Sequence, residues 1–154
     1  MLPGDAEADG TTEAVISREQ FRRQRLQLVR VDSRHTTTGS CAVEVELDWV
    51  DGERVVGRAS GHASTAGDLR IAALAALDAL EKFSAGSLEF DLTGIKAIRA
   101  FDANIVIVSV AVKRGPGPQR LLGSYLAESD PIRSAVIAVL NATNRVLGNY
   151  ITIR

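Results

Sequence analysis

From position 43 to 49 apolar and acidic side chains alternate without a break: Val43, Val45, Leu47 and Trp49 against Glu44, Glu46 and Asp48. A period of two puts the first set on one face of a β-strand and the second on the other, so one face is buried and one is wet. Residues 26–32 predict a strand before it, across a polar loop at 33–40. The pair Asp51-Gly52 is favoured in tight hairpins, so 54–60 is expected to return antiparallel. After a small-residue loop at 61–67 the period changes. Leu69, Ala73, Leu77 and Leu80 then share one face of a helix over 69–83, with Asp68 as its expected N-cap. Ala72 and Ala76 beside them permit close approach of a sheet or a second helix.

The order then repeats. Ser84-Ala85-Gly86 closes the first unit, and a strand is expected at 88–99, a turn at Ala100-Phe101-Asp102, a strand at 103–113, a Gly/Pro hairpin at 114–118 and a strand at 120–127. A helix opens at Pro131, where the missing amide of proline costs nothing, behind Asp130 as cap. A constant offset of 63 residues pairs Leu69 with Ile132, Arg70 with Arg133, Ala72 with Ala135, Leu77 with Leu140 and Asp78 with Asn141. The fold class expected is α+β: an internal duplication of a strand-strand-strand-helix unit, with an antiparallel sheet and two helices packed on one face. Residues 26–154 form a single duplicated domain, its lobes at about 26–86 and 87–147.

The two halves differ in one respect. Residues 105–112 are apolar on both faces except for Ser109, whereas their counterpart at 43–49 alternates. A strand apolar on both sides is buried on both sides, and two helices rarely cover both faces of a small antiparallel sheet. A second copy of the chain is the natural cover, so a homodimer is expected.

Composition narrows the function classes. The apolar fraction of 45% and charged fraction of 24% are those of a globular protein, and a net charge of −1 gives no general attraction to nucleic acid or to a membrane. A single cysteine, Cys41, excludes an internal disulfide and a multi-cysteine metal site, in keeping with a cytoplasmic location. No apolar run reaches membrane-spanning length, and the first residues lack the order of a signal peptide. Residues 1–16 are expected to form a disordered acidic tail. Ser17-Arg18-Glu19-Gln20 has capping-box spacing and opens a short basic helix over 17–25, with Arg18, Arg22, Arg23 and Arg25; Arg30 and Arg34 continue the charge. This arm is either a contact for an acidic partner or nucleic acid, or a solvated helix beside the tail. The plainer reading is preferred.

Signals for enzyme chemistry are sparse. His35 and His62 are each isolated, so a metal site would have to be assembled entirely from distant residues; none is expected, and no cofactor. Cys41, at the head of a strand, reads as a buried structural thiol and not as a nucleophile. Gly57-Arg-Ala-Ser-Gly61 lacks the Gly-Lys-Ser/Thr ending of a phosphate loop. The shared face of Glu44, Glu46 and Asp48 reads as solvated more readily than as a cation site. No catalytic residues are expected. The loops at 61–68 and 126–130 hold more promise, because each ends at a helix N-terminus whose free amides favour a carboxylate or phosphate, unless Asp68 and Asp130 occupy them as caps.

Three stretches carry a family resemblance: Phe101-Asp102-Ala103 followed by alternating Val and Ile, Asp130-Pro131-Ile132, and Leu140-Asn-Ala-Thr-Asn-Arg145, with Asp68, Ala73 and Leu74 as the echo in the first half. Over about 26–147 the chain resembles the C-terminal regulatory and dimerisation domain of α-isopropylmalate synthases and citramalate synthases. Where that family has a Gly-x-Gly-Pro-x-Asp turn, this chain has Ala63-Ser-Thr-Ala-Gly-Asp68. The resemblance implies a domain without catalytic residues that pairs two subunits and binds an amino-acid or acyl effector, such as leucine or isoleucine, between its lobes. No part of 154 residues holds the family's catalytic barrel, so a stand-alone module is expected. Its ligand would sit near Gly61, Ser64 and Asp68 of one lobe and Asp102 and Asp130 of the other. The alternatives are a purely structural scaffold that binds another protein, and an enzyme with a site across the dimer around His62 and Asp68. Expected partners are thus a second copy and a small-molecule effector or protein, with neither membrane nor nucleic acid.

Overall fold

A computed structural model describes residues 26–48, 53–114, 116–127 and 130–153. The expected tail, the basic helix, Trp49 and the Asp51-Gly52 turn lie outside these residues. The elements run β1 (Gln27–His35), β2 (Ser40–Asp48), β3 (Arg54–His62), α1 (Thr65–Phe83), β4 (Glu89–Ala100), β5 (Ala103–Arg114), β6 (Gly117–Leu126) and α2 (Pro131–Ile153). The strand-strand-strand-helix unit is written twice, as the sequence predicts. Its strands form two three-stranded antiparallel sheets, β1-β2-β3 and β4-β5-β6, each followed by its own helix. At the β4–β5 turn Phe101 and Asp102 take φ of 52° and 58°, the left-handed pair of a two-residue hairpin.

Several boundaries differ from expectation, among them the start of β6 at Gly117, within the stretch expected as a hairpin. β1 continues to His35, because the loop is only long enough to turn the chain: the Thr36 amide donates to the Ser40 carbonyl at 2.9 Å. The first helix begins at Thr65 and its N-cap is Ser64, not Asp68. The Ser64 hydroxyl accepts the Gly67 amide at 2.8 Å, while the Asp68 carboxylate reaches back to the Ser64 amide at 3.3 Å. This reciprocal arrangement satisfies free donors in the manner of a capping box. A Cβ on Gly67 would lie 2.6 Å from the Ser64 hydroxyl and 2.7 Å from the His62 carbonyl, so the entry is as tight as glycine allows. Ser64→Ala is expected to lower stability by about 1 kcal/mol, read from the midpoint of urea unfolding; an unchanged midpoint would mean that Asp68 closes the helix end alone.

The core lies between sheets and helices. Cys41, Val43, Val45 and Leu47 of β2 and Val106, Val108, Val110 and Val112 of β5 are buried, as are Ala72, Ala76 and Leu80 of α1 and Ala135, Val136 and Val139 of α2. The alanines let each helix ride almost on the backbone of its own third strand. Gly57 stands opposite Val45 and Gly123 opposite Val108. A Cβ at Gly57 would lie 2.1 Å from the Ala75 carbonyl oxygen, and one at Gly123 would lie 2.2 Å from that of Ala138. One residue further on, the helix ties down the outer edge of the sheet. Asp78 accepts the Arg58 amide at 2.9 Å, and Asn141 donates to the Ser124 carbonyl at 3.0 Å. The Asp78/Asn141 echo in the sequence is therefore one device used twice, with donor and acceptor exchanged. The buried hydroxyl of Thr143 donates to the Val139 carbonyl at 2.9 Å, so its burial leaves no unmet bond.

The wet faces of the two sheets are unlike. On the first, Glu46 pairs with Arg30 at 3.2 Å and Glu44 with Arg58 at 2.7 Å, and the bond from Arg58 holds the Glu44 carboxyl below its ordinary range. On the second, the register brings Ile98, Ile105 and Leu126 side by side, and Lys96, Ile107 and Ser124 in the next row. Among the described residues the other face of the second sheet is left partly open, the face for which a second copy is the expected cover: Ile107 is 36% and Leu122 69% exposed. Val106, Val108, Val110 and Val112 of β5 face the core, whereas Ile107 on the other face is left partly open among the described residues.

Candidate functional site

In each repeat the end of the third strand meets the start of the helix, and the two meeting points have been built differently. In the second repeat they enclose a cleft of about 520 Å³. Ile105, Tyr125, Leu126 and Ile137 supply apolar walls, and Asp130 and Arg133 supply opposite charges at the mouth. Pro131 opens α2 as predicted, and one Asp130 oxygen accepts the Arg133 amide at 3.2 Å, so Asp130 is the expected cap. Ser134, nearly buried, donates to the Leu126 carbonyl at 3.2 Å and pins the strand end against the helix. The cleft is thus held by the Ser134 bond to the strand and the Asp130 cap on the helix, without the Arg133 side chain. Among the described residues the Arg133 guanidinium has no ion pair and no side-chain hydrogen bond.

In the first repeat the same corner is polar. His35 and Cys41 face each other across β1 and β2. The first turn of α1 brings Asp68 over them, its carboxylate 2.7 Å from the His35 Nε2. Cys41 is fully buried. Burial pushes its thiol up, and the neighbouring Asp68 charge pushes it the same way. Burial also works to raise the Asp68 carboxyl, but hydrogen bonds from His35, Cys41 and the Ser64 amide outweigh it and hold the group below the ordinary carboxylate range. Gly61 lies beside this corner, with room for a Cβ only at 3.3 Å from the Ile71 side chain.

Of the five residues singled out by the sequence, Gly61, Ser64 and Asp68 gather at the first corner and Asp130 lines the cleft of the second. Asp102 sits in the β4–β5 turn, at the start of the strand that carries Ile105. No hydrogen bond or ion pair among the described residues joins the two sets. The sequence reading missed the cleft's Arg133, Tyr125, Ile105 and Ile137. Arg133 was visible as the echo of Arg70, but as a mark of duplication and not as a charge beside a cap. His35 was missed because it was placed in a loop, three residues beyond the expected end of β1.

Chemically the cleft suits a small zwitterion or carboxylate with an aliphatic chain, since a guanidinium, a carboxylate and apolar walls converge there. The first corner suits no nucleophilic chemistry: its thiol is buried and reluctant to ionise, and its carboxylate is a weakened base. A scan against protein-family models matches none of them, and a search of curated proteins finds no match either.

Proposed function

We propose that this protein is a non-catalytic, homodimeric module that binds a small amino-acid or acyl-acid effector in the cleft of its second repeat. The observation that carries this reading is the Arg133 guanidinium, unpaired among the described residues, beside Asp130 at the mouth of an apolar cleft. Arg133 takes the effector's carboxylate, Asp130 takes an ammonium group where there is one, and Ile105, Ile137 and Tyr125 take the aliphatic chain. The duplicated fold is in keeping with the regulatory and dimerisation domain of α-isopropylmalate and citramalate synthases that the sequence resembles. Fold likeness alone is a weak warrant for function, so the cleft bears the weight of the proposal.

Isothermal titration with leucine, isoleucine, valine and the corresponding 2-oxo acids tests it. Saturable binding of at least one is expected, weakened by about tenfold or more in Arg133→Ala, because a charge-assisted hydrogen bond contributes roughly 1.5–3 kcal/mol. Absence of heat and of any thermal shift with all of them leaves the scaffold reading. That second reading, a purely structural interaction protein, draws on the apolar outer face of the second sheet, where Ile107 and Leu122 lie outside the cleft.

A further inference from the structure

We propose that His35, Cys41 and Asp68 form a binding site for one divalent transition-metal cation of the zinc type, separate from the effector cleft. The imidazole nitrogen, the thiol sulfur and a carboxylate oxygen all lie within 4.8 Å of one another. Zinc bonds of about 2.0–2.3 Å to such donors place them roughly 3.5 Å apart in a tetrahedron, so small side-chain rotations complete the set. One nitrogen, one sulfur and one oxygen donor select a borderline-soft ion. Magnesium and calcium, which seek oxygen alone, are disfavoured.

The three donors are also oriented in advance. They come from the end of β1, the start of β2 and the first turn of α1, with His35 and Cys41 locked opposite each other by strand register. The Asp68 oxygen not bonded to His35 accepts the Ser64 amide, which fixes the plane of the carboxylate. Backbone support of this kind is what metal ligands use to hold their geometry. Cys41 forms the fully buried floor, while the His35 side chain is 46% exposed, so the fourth coordination position faces solvent. Charge balances as well. The cation displaces the thiol proton to solvent, and thiolate plus carboxylate then neutralise its two positive charges.

The second repeat supplies the internal comparison. It builds the same strand-strand-helix corner with Arg99 paired to Asn104, and Pro131 at the helix start, where the first repeat has His35 paired to Cys41, and Asp68. None of the three is a usual zinc ligand. The fold therefore does not require a His-Cys-Asp set at this corner, and its presence in one repeat calls for a use.

Titration of the metal-free full chain with Co²⁺, followed by absorption, is the direct test. One equivalent is expected to give a sulfur-to-cobalt charge-transfer band and tetrahedral d–d bands, both removed by Zn²⁺. Cys41→Ser should abolish the charge-transfer band, but this variant alters the core and can lose its fold. His35→Ala changes a half-exposed side chain and is the deciding variant: Zn²⁺ affinity is expected to fall by about tenfold or more, while His62→Ala leaves it unchanged. A folded wild-type chain without the cobalt–thiolate band, or equal Zn²⁺ affinity in His35→Ala, overturns the proposal. Neither result bears on effector binding at Arg133.

Discussion

Gly57→Ala and Gly123→Ala are each expected to destabilise the protein by about 3 kcal/mol, the upper end of the cost of overfilling a packed interior. A Cβ at either position meets atoms that cannot turn aside. At Gly57 they are the Ala75 carbonyl oxygen at 2.1 Å and the Ala79 amide nitrogen at 2.3 Å; at Gly123 they are the equivalent atoms of Ala138 at 2.2 Å and Ala142 at 2.6 Å. Real Cβ atoms essentially never approach within 3.0 Å, so the helix has to lift from the strand. Lifting loosens the contact that buries Val45 and Val108, and with it the apolar burial that holds helix to sheet. Combining Gly57→Ala with Ala79→Gly should restore little, because the two nearest atoms belong to the backbone and remain. Gly94→Ala is the control: its Cβ meets nothing within 4 Å. Denaturant midpoints for Gly57→Ala and Gly123→Ala no lower than that of the control would sink the account of this contact.

That contact shows what the sequence could and could not disclose. Strict alternation at 43–49 and helical spacing after position 68 mark periods, which depend on local geometry alone, so β2 and the body of α1 were legible. Duplication was legible too, through the offset that pairs Asp78 with Asn141. What those side chains do was not, since it needs the third strand beneath them. Gly57 and Gly123 play the same part but do not share the helices' offset, because the arms of the β5–β6 hairpin are longer than those of β2–β3. Helix ends were less legible than helix bodies. The loop at 61–67 held several capping residues, and Ser64 took the role assigned to Asp68 because its hydroxyl meets the Gly67 amide. At the second helix Pro131 left no such freedom, and Asp130 caps it as expected. Both candidate sites lay beyond a linear reading for one reason: each joins residues from a strand end and a helix start that only the folded corner brings together.

Ile107→Glu is expected to convert a dimer to a monomer while leaving the folded chain nearly as stable. The equivalent positions of the two sheets carry opposite chemistry: Glu44 is flanked by arginines on the first, whereas Ile107 on the second stands between Lys96 and Ser124 in its own row, with Ile105, Leu126 and Leu122 in the rows on either side. An ion-paired face is content in water. An apolar one is not, and a second copy offers it an identical surface related by a twofold axis. Ile107 is 36% exposed, so completing its burial contributes roughly 0.5–1 kcal/mol, and a twofold interface counts each position twice. A glutamate there removes that contribution and sets two carboxylates into an apolar contact. The dimer dissociation constant should rise by about a hundredfold or more, roughly 2.7 kcal/mol, read by sedimentation at several protein concentrations. Unfolding of the variant monomer should shift by no more than about 0.5 kcal/mol, since Ile107 is not part of the buried core. Glu44→Gln on the other sheet is expected to leave association unchanged. If the wild-type chain sediments as a monomer at roughly 10 µM, the pairing half of the proposed function falls, and the cleft at Arg133 must then stand on ligand binding alone.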